Sequence, residues 1–376
     1  MNLKEIKEIV RKQNEWRGKQ TVNLIASENI MLPEARELYC SDFMHRYAEG
    51  EPYQRYYNGT KYIDELEAAT REYFAEHFGV DCVDVRPISG TLANLAVFSA
   101  LLNKQYIASH KLINGGHLSH NKVGFLGKIL KAGVHPIRVL YPDGLITDVE
   151  SLITQIEIVD PDFVVLGKSL FLFEEPVREI RERFPNLTIV YDAAHVFGLI
   201  YQGVFQKDLF EYVDVVTAST HKTFPGPQGG IILVKEKKLY DKISKFVFPG
   251  TVSNHHLHRI PALLATAVLL DSKYKDYSAR VVQNAKYFAE KLYEQGFKVL
   301  AKKHGFTQTH QILIDVSEFG GGRKVADKLE EHDIIVNANA LPAKDRNFKE
   351  VSGIRIGVQE MTLRGWGKKE FADLAN

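Results

Sequence analysis

From residue 83 to residue 234, short continuous runs of apolar and β-branched residues alternate with stretches that carry helical periodicity. The runs are "VDVRPI", "DFVVLG", "LTIVY", "VDVVTA" and "GGIILV". They are mostly continuous rather than alternating. Runs of this length between helices predict strands buried on both faces, and so an α/β fold with a mostly parallel sheet. "LANLAVFSALLN", apolar on most sides, predicts a buried helix directly after a Ser-Gly-Thr turn, and "IPALLATAVLLD" predicts another.

Near Asp271 the texture changes. "YSARVVQNAKYFAEKLYEQGF" predicts a long amphipathic helix stopped at Gly296. "HQILIDV", "KVADKLEEHDI" and "GIRIGV" then predict strand, helix and strand, while "EFGGGRK" reads as a flexible loop. With 376 residues the chain is too long for one compact core. The expected division is an N-terminal helical arm (1–30), a large domain (31–274) and a smaller C-terminal α/β domain (275–376).

Composition narrows the function classes. A net charge of +1 leaves no broad field for nucleic acid or an anionic membrane. No apolar run approaches the roughly 20 residues of a membrane span, and "MNLKEIKEIVRKQNEWRGKQ" lacks the apolar centre of a signal peptide. Cys40 and Cys82 are the only cysteines, which excludes a disulfide scaffold and a four-cysteine zinc site. A reducing, cytoplasmic setting is expected, with both cysteines as small buried side chains.

Ligands of parallel sheets collect beyond the carboxyl ends of the strands, and the reactive residues cluster there. Asp192 closes an apolar strand, His195 follows in "YDAAHVFG", and Lys222 lies just beyond a later strand in "TASTHKTFPGPQGG". Alone, Asp192 also fits a helix N-cap, and His195 a satisfied core histidine. An acid and an amine at one sheet edge, however, destabilise it unless they share a ligand. Pyridoxal phosphate needs both, an amine for its aldehyde and a carboxylate for its pyridinium nitrogen. Its phosphate needs backbone N–H groups at a helix N-terminus, where "SGTLAN" offers Ser89, Gly90 and Thr91. The order of phosphate turn, strand-end acid and strand-end amine assigns Lys222 as the cofactor's lysine.

These stretches, together with "NLIASEN", "HRYAEGEPYQRYYNG", "GGHLSH", "VFPGTVSNHHLH" and "SGIRIG", resemble the serine hydroxymethyltransferase family over nearly the whole chain. The family belongs to the fold-type I pyridoxal-phosphate transferases (aspartate-aminotransferase-like), which implies a mostly parallel seven-stranded sheet in the large domain. By this resemblance Lys222 is the cofactor's lysine, Asp192 the partner of the ring nitrogen, and His195 the neighbour of the phenolic oxygen. His117 stacks on the ring, and Ser169 lies beside the cofactor. Gly90 and Thr91 align with the phosphate turn. Arg355 and Ser27 contact the amino-acid carboxylate. Glu49 is the acid/base group, and Tyr47 and Tyr57 are the active-site tyrosines. His221, beside the cofactor lysine, matches a histidine that affects substrate choice. In the family Glu49 and Tyr57 come from a neighbouring subunit, which implies a homodimer with shared active sites.

The resemblance implies transfer of a hydroxymethyl carbon between serine and glycine through a tetrahydropterin, with Leu112 and Leu118 on the pterin side. "HKTFPGPQGG" and "FPGTVSNHHLH" resemble the archaeal branch, so the carrier is either tetrahydrofolate or tetrahydromethanopterin. Gln228 stands where better-known members have arginine, and "NANALPAKDRNF" where they have an asparagine-containing pterin contact. A pterin-independent aldolase or transaldolase of threonine-like substrates uses the same Lys222, Asp192 and Arg355. "HHLH" at His255, His256 and His258 has no supporting carboxylate nearby in sequence, and no metal is expected there.

Overall fold

The computed structural model describes residues 1–140, 145–342 and 344–376. Strands β1 (Cys82–Asp84), β2 (Tyr106–His110), β3 (Gly133–Ile137), β4 (Phe163–Leu166), β5 (Thr188–Asp192), β6 (Val215–Ser219) and β7 (Gly230–Val234) form one sheet. Its order is β1-β7-β6-β5-β4-β2-β3. Neighbours from β6 through to β3 are parallel, and β7 runs antiparallel to both β1 and β6. Every residue of β4, β6 and β7 is buried, which explains their unalternating apolar runs.

The run "VDVRPI" yields a shorter strand than its pattern suggests. The backbone N–H and Nε of Arg86 both donate to Asp84 Oδ1 at 3.0 Å, turning the chain out of the sheet. Helix α1 (Leu3–Glu15) is followed by α2 (Lys61–Phe78), α3 (Gly90–Leu101), α4 (Arg259–Asp271), α5 (Tyr277–Glu294) and α6 (Gly322–Glu330) as the helices relevant to the site. Residues of α1 are not buried, and Leu3, Ile6, Ile9 and Val10 lie exposed along it. Among the described residues no helix is long and apolar enough to cross a membrane.

A second sheet holds β8 (Lys298–Val299), β9 (Gln311–Asp315), β10 (Asn337–Asn339) and β11 (Gly353–Gly357), all antiparallel in the order β8-β9-β11-β10. The glycine-rich stretch expected to be a flexible loop is a 3₁₀ turn at Ser317–Phe319 followed by the start of α6. Its N–H groups are used: Gly321 donates to Val316 O and Gly322 to Val351 O. Near the N-terminus, Val22–Asn23 pairs with Ile334–Ile335, and Gly357 N–H donates to Leu24 O at 2.8 Å. The segment carrying Ser27 is thereby tied to the sheet that carries Arg355.

Candidate active site

Asp192 ends β5 with its carboxylate buried. Oδ2 accepts from Asn94 Nδ2 at 2.7 Å and from His120 Nε2 at 2.8 Å, and Oδ1 accepts from Ala194 N–H at 2.9 Å. Thr217 Oγ1 donates to Asn94 Oδ1 at 2.6 Å, which fixes the amide so that its NH₂ points at the acid. Burial alone would raise the carboxyl's pKa. The hydrogen bond and charge of His120, then His117 and Asn94, hold it far below the usual carboxylate range instead. Asp192 is therefore an anion, and Oδ1, with a single bond, retains capacity for another donor.

Lys222 lies three residues beyond β6 in a loop tied from several sides. Thr220 Oγ1 donates to Pro227 O at 2.6 Å, Thr223 Oγ1 to His195 O at 2.8 Å, and Asn29 Nδ2 to Lys222 O at 2.6 Å. Burial pushes the Lys222 amine down to about 8; Asp192 opposes the shift and Arg355 adds to it. His195 is buried, and its Nδ1 faces Gln311 Nε2 at 3.0 Å. Gln311 Oε1 accepts from Phe171 N–H at 2.9 Å, so the amide nitrogen is the donor to His195. Nδ1 then accepts, and the proton of a neutral His195 sits on Nε2. Burial, then Lys222 and Arg355, push this imidazole well below its usual pKa.

Arg355 projects from the middle of β11, opposite Asn337 of β10 and Leu313 of β9. Nε donates to Asn337 Oδ1 at 3.2 Å and Nη1 to Ser169 O at 2.7 Å. Burial alone lowers its pKa to about 10, and no carboxylate pairs with it among the described residues. A buried guanidinium left without a carboxylate is suited to receive one from a ligand. His117 is pushed to about 4, chiefly by burial, and its Nδ1 lies 2.7 Å from Ser119 Oγ. At neutral pH it is an uncharged ring.

Ser89 caps α3, its Oγ accepting from Leu92 N–H at 3.2 Å. Gly90 is packed so closely on β6 that an added Cβ would lie 2.5 Å from Ser219 Oγ. The exposed Thr91 follows in the first turn. The donor set thus fits pyridoxal phosphate: a buried amine of depressed pKa, an anion with spare acceptor capacity, and a helix N-terminus packed on the strand that leads to the amine. His117, His120 and Asp192 also bring one ligand atom each within 4.8 Å of one another. Asp192 Oδ2, however, is taken by two hydrogen bonds, which suits an acid held for an organic cation better than a metal ligand.

The remaining expected residues fall into separate groups. Ser27 and His221 line one cleft of about 810 Å³ with Arg36, Gln228 and Arg364. His221 is lowered to about 4, first by burial and then by Lys222. Leu112 is half-buried and Leu118 exposed, on either side of His117. Tyr47 and Tyr57, both exposed, place their ring centroids 5.5 Å apart, and Glu49 between them in sequence is half-buried. None of these three hydrogen-bonds to Lys222, Asp192 or Arg355 among the described residues. In the stretch expected at the pterin, Asn337 contacts Arg355, while Ala343 lies outside the described residues. His255 of "HHLH" does find a carboxylate, Glu67 Oε2 at 2.9 Å, contributed by α2.

Sequence reasoning passed over Asn94, His120, Gln311 and Asn337. Asn94 was within reach, since it lies one helical turn after Gly90 and so shares its face. His120 closes the quoted "GGHLSH". Gln311 and Asn337 gave no signal, because their partners come from distant strands.

A model of the serine hydroxymethyltransferase family matches residues 1–376. Three archaeal relatives bear that name. The protein of Saccharolobus solfataricus is 47% identical over 380 residues, covering 99% of this chain and 87% of the relative. That of Aeropyrum pernix is 46% identical over 378 residues, covering 99% and 85%, and that of Sulfolobus acidocaldarius 47% over 382, covering 99% and 87%. With its strand-edge lysine and aspartate and a family match along its full length, the chain belongs to the serine hydroxymethyltransferase family.

Proposed function

We propose that the protein interconverts L-serine and glycine with pyridoxal phosphate as cofactor, exchanging the hydroxymethyl carbon with a tetrahydropterin. The observation that carries this reading is the buried Lys222 amine, of pKa about 8, in the field of the ionised Asp192 at one sheet edge. When bound, pyridoxal phosphate supplies an aldehyde and an electron-withdrawing ring that weakens the bonds at a substrate's α-carbon.

The chain's own groups do the rest. Lys222 offers a neutral amine to the aldehyde. Asp192, held ionised by Asn94 and His120, keeps a proton on the ring nitrogen. The uncharged His117 would lie against the ring, and His195 would offer its Nε2–H near the phenolic oxygen. Ser89, Gly90 and Thr91 receive the phosphate, and Ser169 and His221 flank the cofactor. Arg355, with Ser27 and Tyr47, orients the substrate carboxylate, a task suited to a planar fork of donors. Glu49 takes and returns the proton of the substrate hydroxyl, with Tyr57 beside it. Leu112 and Leu118 face the pterin, which is tetrahydrofolate or tetrahydromethanopterin.

In this reading the arm (1–30) and the smaller unit (275–376) bring Ser27 and Arg355 to the large unit (31–274). The working form is a homodimer in which Glu49 and Tyr57 serve the partner's site. Tyr47, Tyr53, Tyr56 and Tyr57 are 46–75% exposed, and a tyrosine-rich exposed segment of this kind suits a subunit interface. The two free cysteines suit a reducing cytoplasm, although Cys40 is exposed and Cys82 half-buried where both were expected to be buried.

Borohydride reduction of the protein saturated with pyridoxal phosphate, followed by peptide mapping, tests the assignment. The reduced cofactor should be found on Lys222. Its recovery on another lysine, or none at all, would overturn the reading.

A further inference from the structure

Glu49 sits on a hairpin whose backbone is held from both sides. Arg55 Nη1 donates to Ala48 O at 2.8 Å and to Gly50 O at 2.6 Å, and Tyr56 N–H donates to Glu49 O at 3.0 Å. Three consecutive carbonyls, with Glu49 at their centre, are thus all engaged. Gly50 makes the turn possible, with φ of +99° and Gln54 O only 2.8 Å from where a Cβ would stand.

The other side of the guanidinium is gripped by α2. Nε donates to Asp64 Oδ1 and Nη2 to Glu67 Oε2, both at 2.7 Å. The side chains of Arg55, Asp64 and Glu67 are 1%, 6% and 0% exposed. Glu67 also accepts from Arg71 and lies 2.9 Å from His255 Nε2, which gives the "HHLH" segment a place in the cluster. Removing these charges from water is costly, and apolar packing would stabilise the fold as well or better. Such a cluster is better explained by what it holds in place.

We infer that Arg55 is a positioning residue for Glu49, fixing the angle at which its carboxylate leaves the hairpin by bridging the flanking carbonyls to the α2 carboxylates. The inference rests on the proposed role of Glu49 at the substrate hydroxyl. A lysine keeps the charge but has one nitrogen, which cannot reach two carbonyls and two carboxylates in that fixed fork.

The test compares Arg55→Lys, Glu49→Gln and the double variant as holoenzymes turning over serine with tetrahydrofolate and with tetrahydromethanopterin. Amide exchange at Tyr56 is measured in parallel. Arg55→Lys should lower kcat by up to about 10²-fold, the scale of a misplaced catalytic group, with serine KM little changed. The double variant should be no slower than Glu49→Gln, because a group already lost cannot be mispositioned. The Tyr56 amide should exchange about 10-fold faster or more as the hairpin opens locally. An unchanged kcat in Arg55→Lys, or losses that multiply in the double variant, would overturn the inference. Wild-type turnover by Glu49→Gln would instead remove the role of Glu49, and Tyr56 exchange would still decide whether Arg55 holds the hairpin. If Arg55→Lys does not fold, Asp64→Asn takes its place, with a smaller loss of kcat expected and the same contrary outcomes.

Discussion

The side-chain amide of Asn94 donates to Asp192 Oδ2 at 2.7 Å, joining residues 98 apart in the chain. Asn94 belongs to α3, whose N-terminus is the proposed phosphate seat, and Asp192 to β5, which offers the partner of the ring nitrogen. One hydrogen bond therefore fixes the distance between the two places proposed to hold the ends of the cofactor. Thr217 of β6 orients the same amide, linking the strand that leads to Lys222 into the set.

Asn94→Ala should weaken this frame without removing a reactive group. It leaves a buried carboxylate short of one charge-assisted donor, a cost of about 1–3 kcal/mol. Pyridoxal phosphate affinity should fall about tenfold, on the scale of 1.4 kcal/mol per decade, while the fold persists. Cofactor titration by absorbance measures it, and unaltered affinity would show that His120 suffices to hold Asp192.

The depressed pKa of Lys222 predicts a specific pH profile. The protonated amine is inert towards an aldehyde and the neutral one reacts, so lowering the pKa moves reactivity to lower pH. The rate at which apoenzyme combines covalently with pyridoxal phosphate should rise with pH and level off above about 8. A midpoint near the ordinary lysine value of 10.5 would mean that burial does not act on this amine as described.

Arg355 is a buried cation with no carboxylate partner among the described residues, and it faces the loop of Ser169, so its loss should be felt in substrate binding. Arg355→Lys keeps a charge but removes the fork, and KM for serine should rise roughly 10- to 100-fold, as expected for hydrogen bonds between charged groups. Cofactor binding should change little. Steady-state kinetics over a range of serine concentrations decides this, and an unchanged KM would place the carboxylate elsewhere.

The sequence carried the strand-edge chemistry because strand ends are local features. Asp192 and Lys222 each follow an apolar run, and their order matched one cofactor. What surrounds them was less legible, since Asn94 reaches Asp192 and Gln311 reaches His195 only through tertiary packing. Arg355 was assigned by resemblance; its strand was readable in "GIRIGV", but the absence of an acid beside it was not. Two local readings failed for different reasons. "VDVRPI" turns out of the sheet because Arg86 bonds back to Asp84, and "EFGGGRK" is ordered by bonds to Val316 and Val351, the latter 29 residues on from Gly322 in sequence. "HHLH" has no carboxylate nearby in the chain, yet His255 meets Glu67 across 188 residues.

Glycine formation from serine, measured with and without added tetrahydrofolate or tetrahydromethanopterin, tests the proposed reaction most directly. Serine should be converted to glycine at a rate that rises steeply with one of the two carriers, with one methylene group appearing on the carrier per glycine formed. Serine left untouched with either carrier, alongside cleavage of threonine indifferent to both, would contradict hydroxymethyl transfer and assign the site to an aldolase.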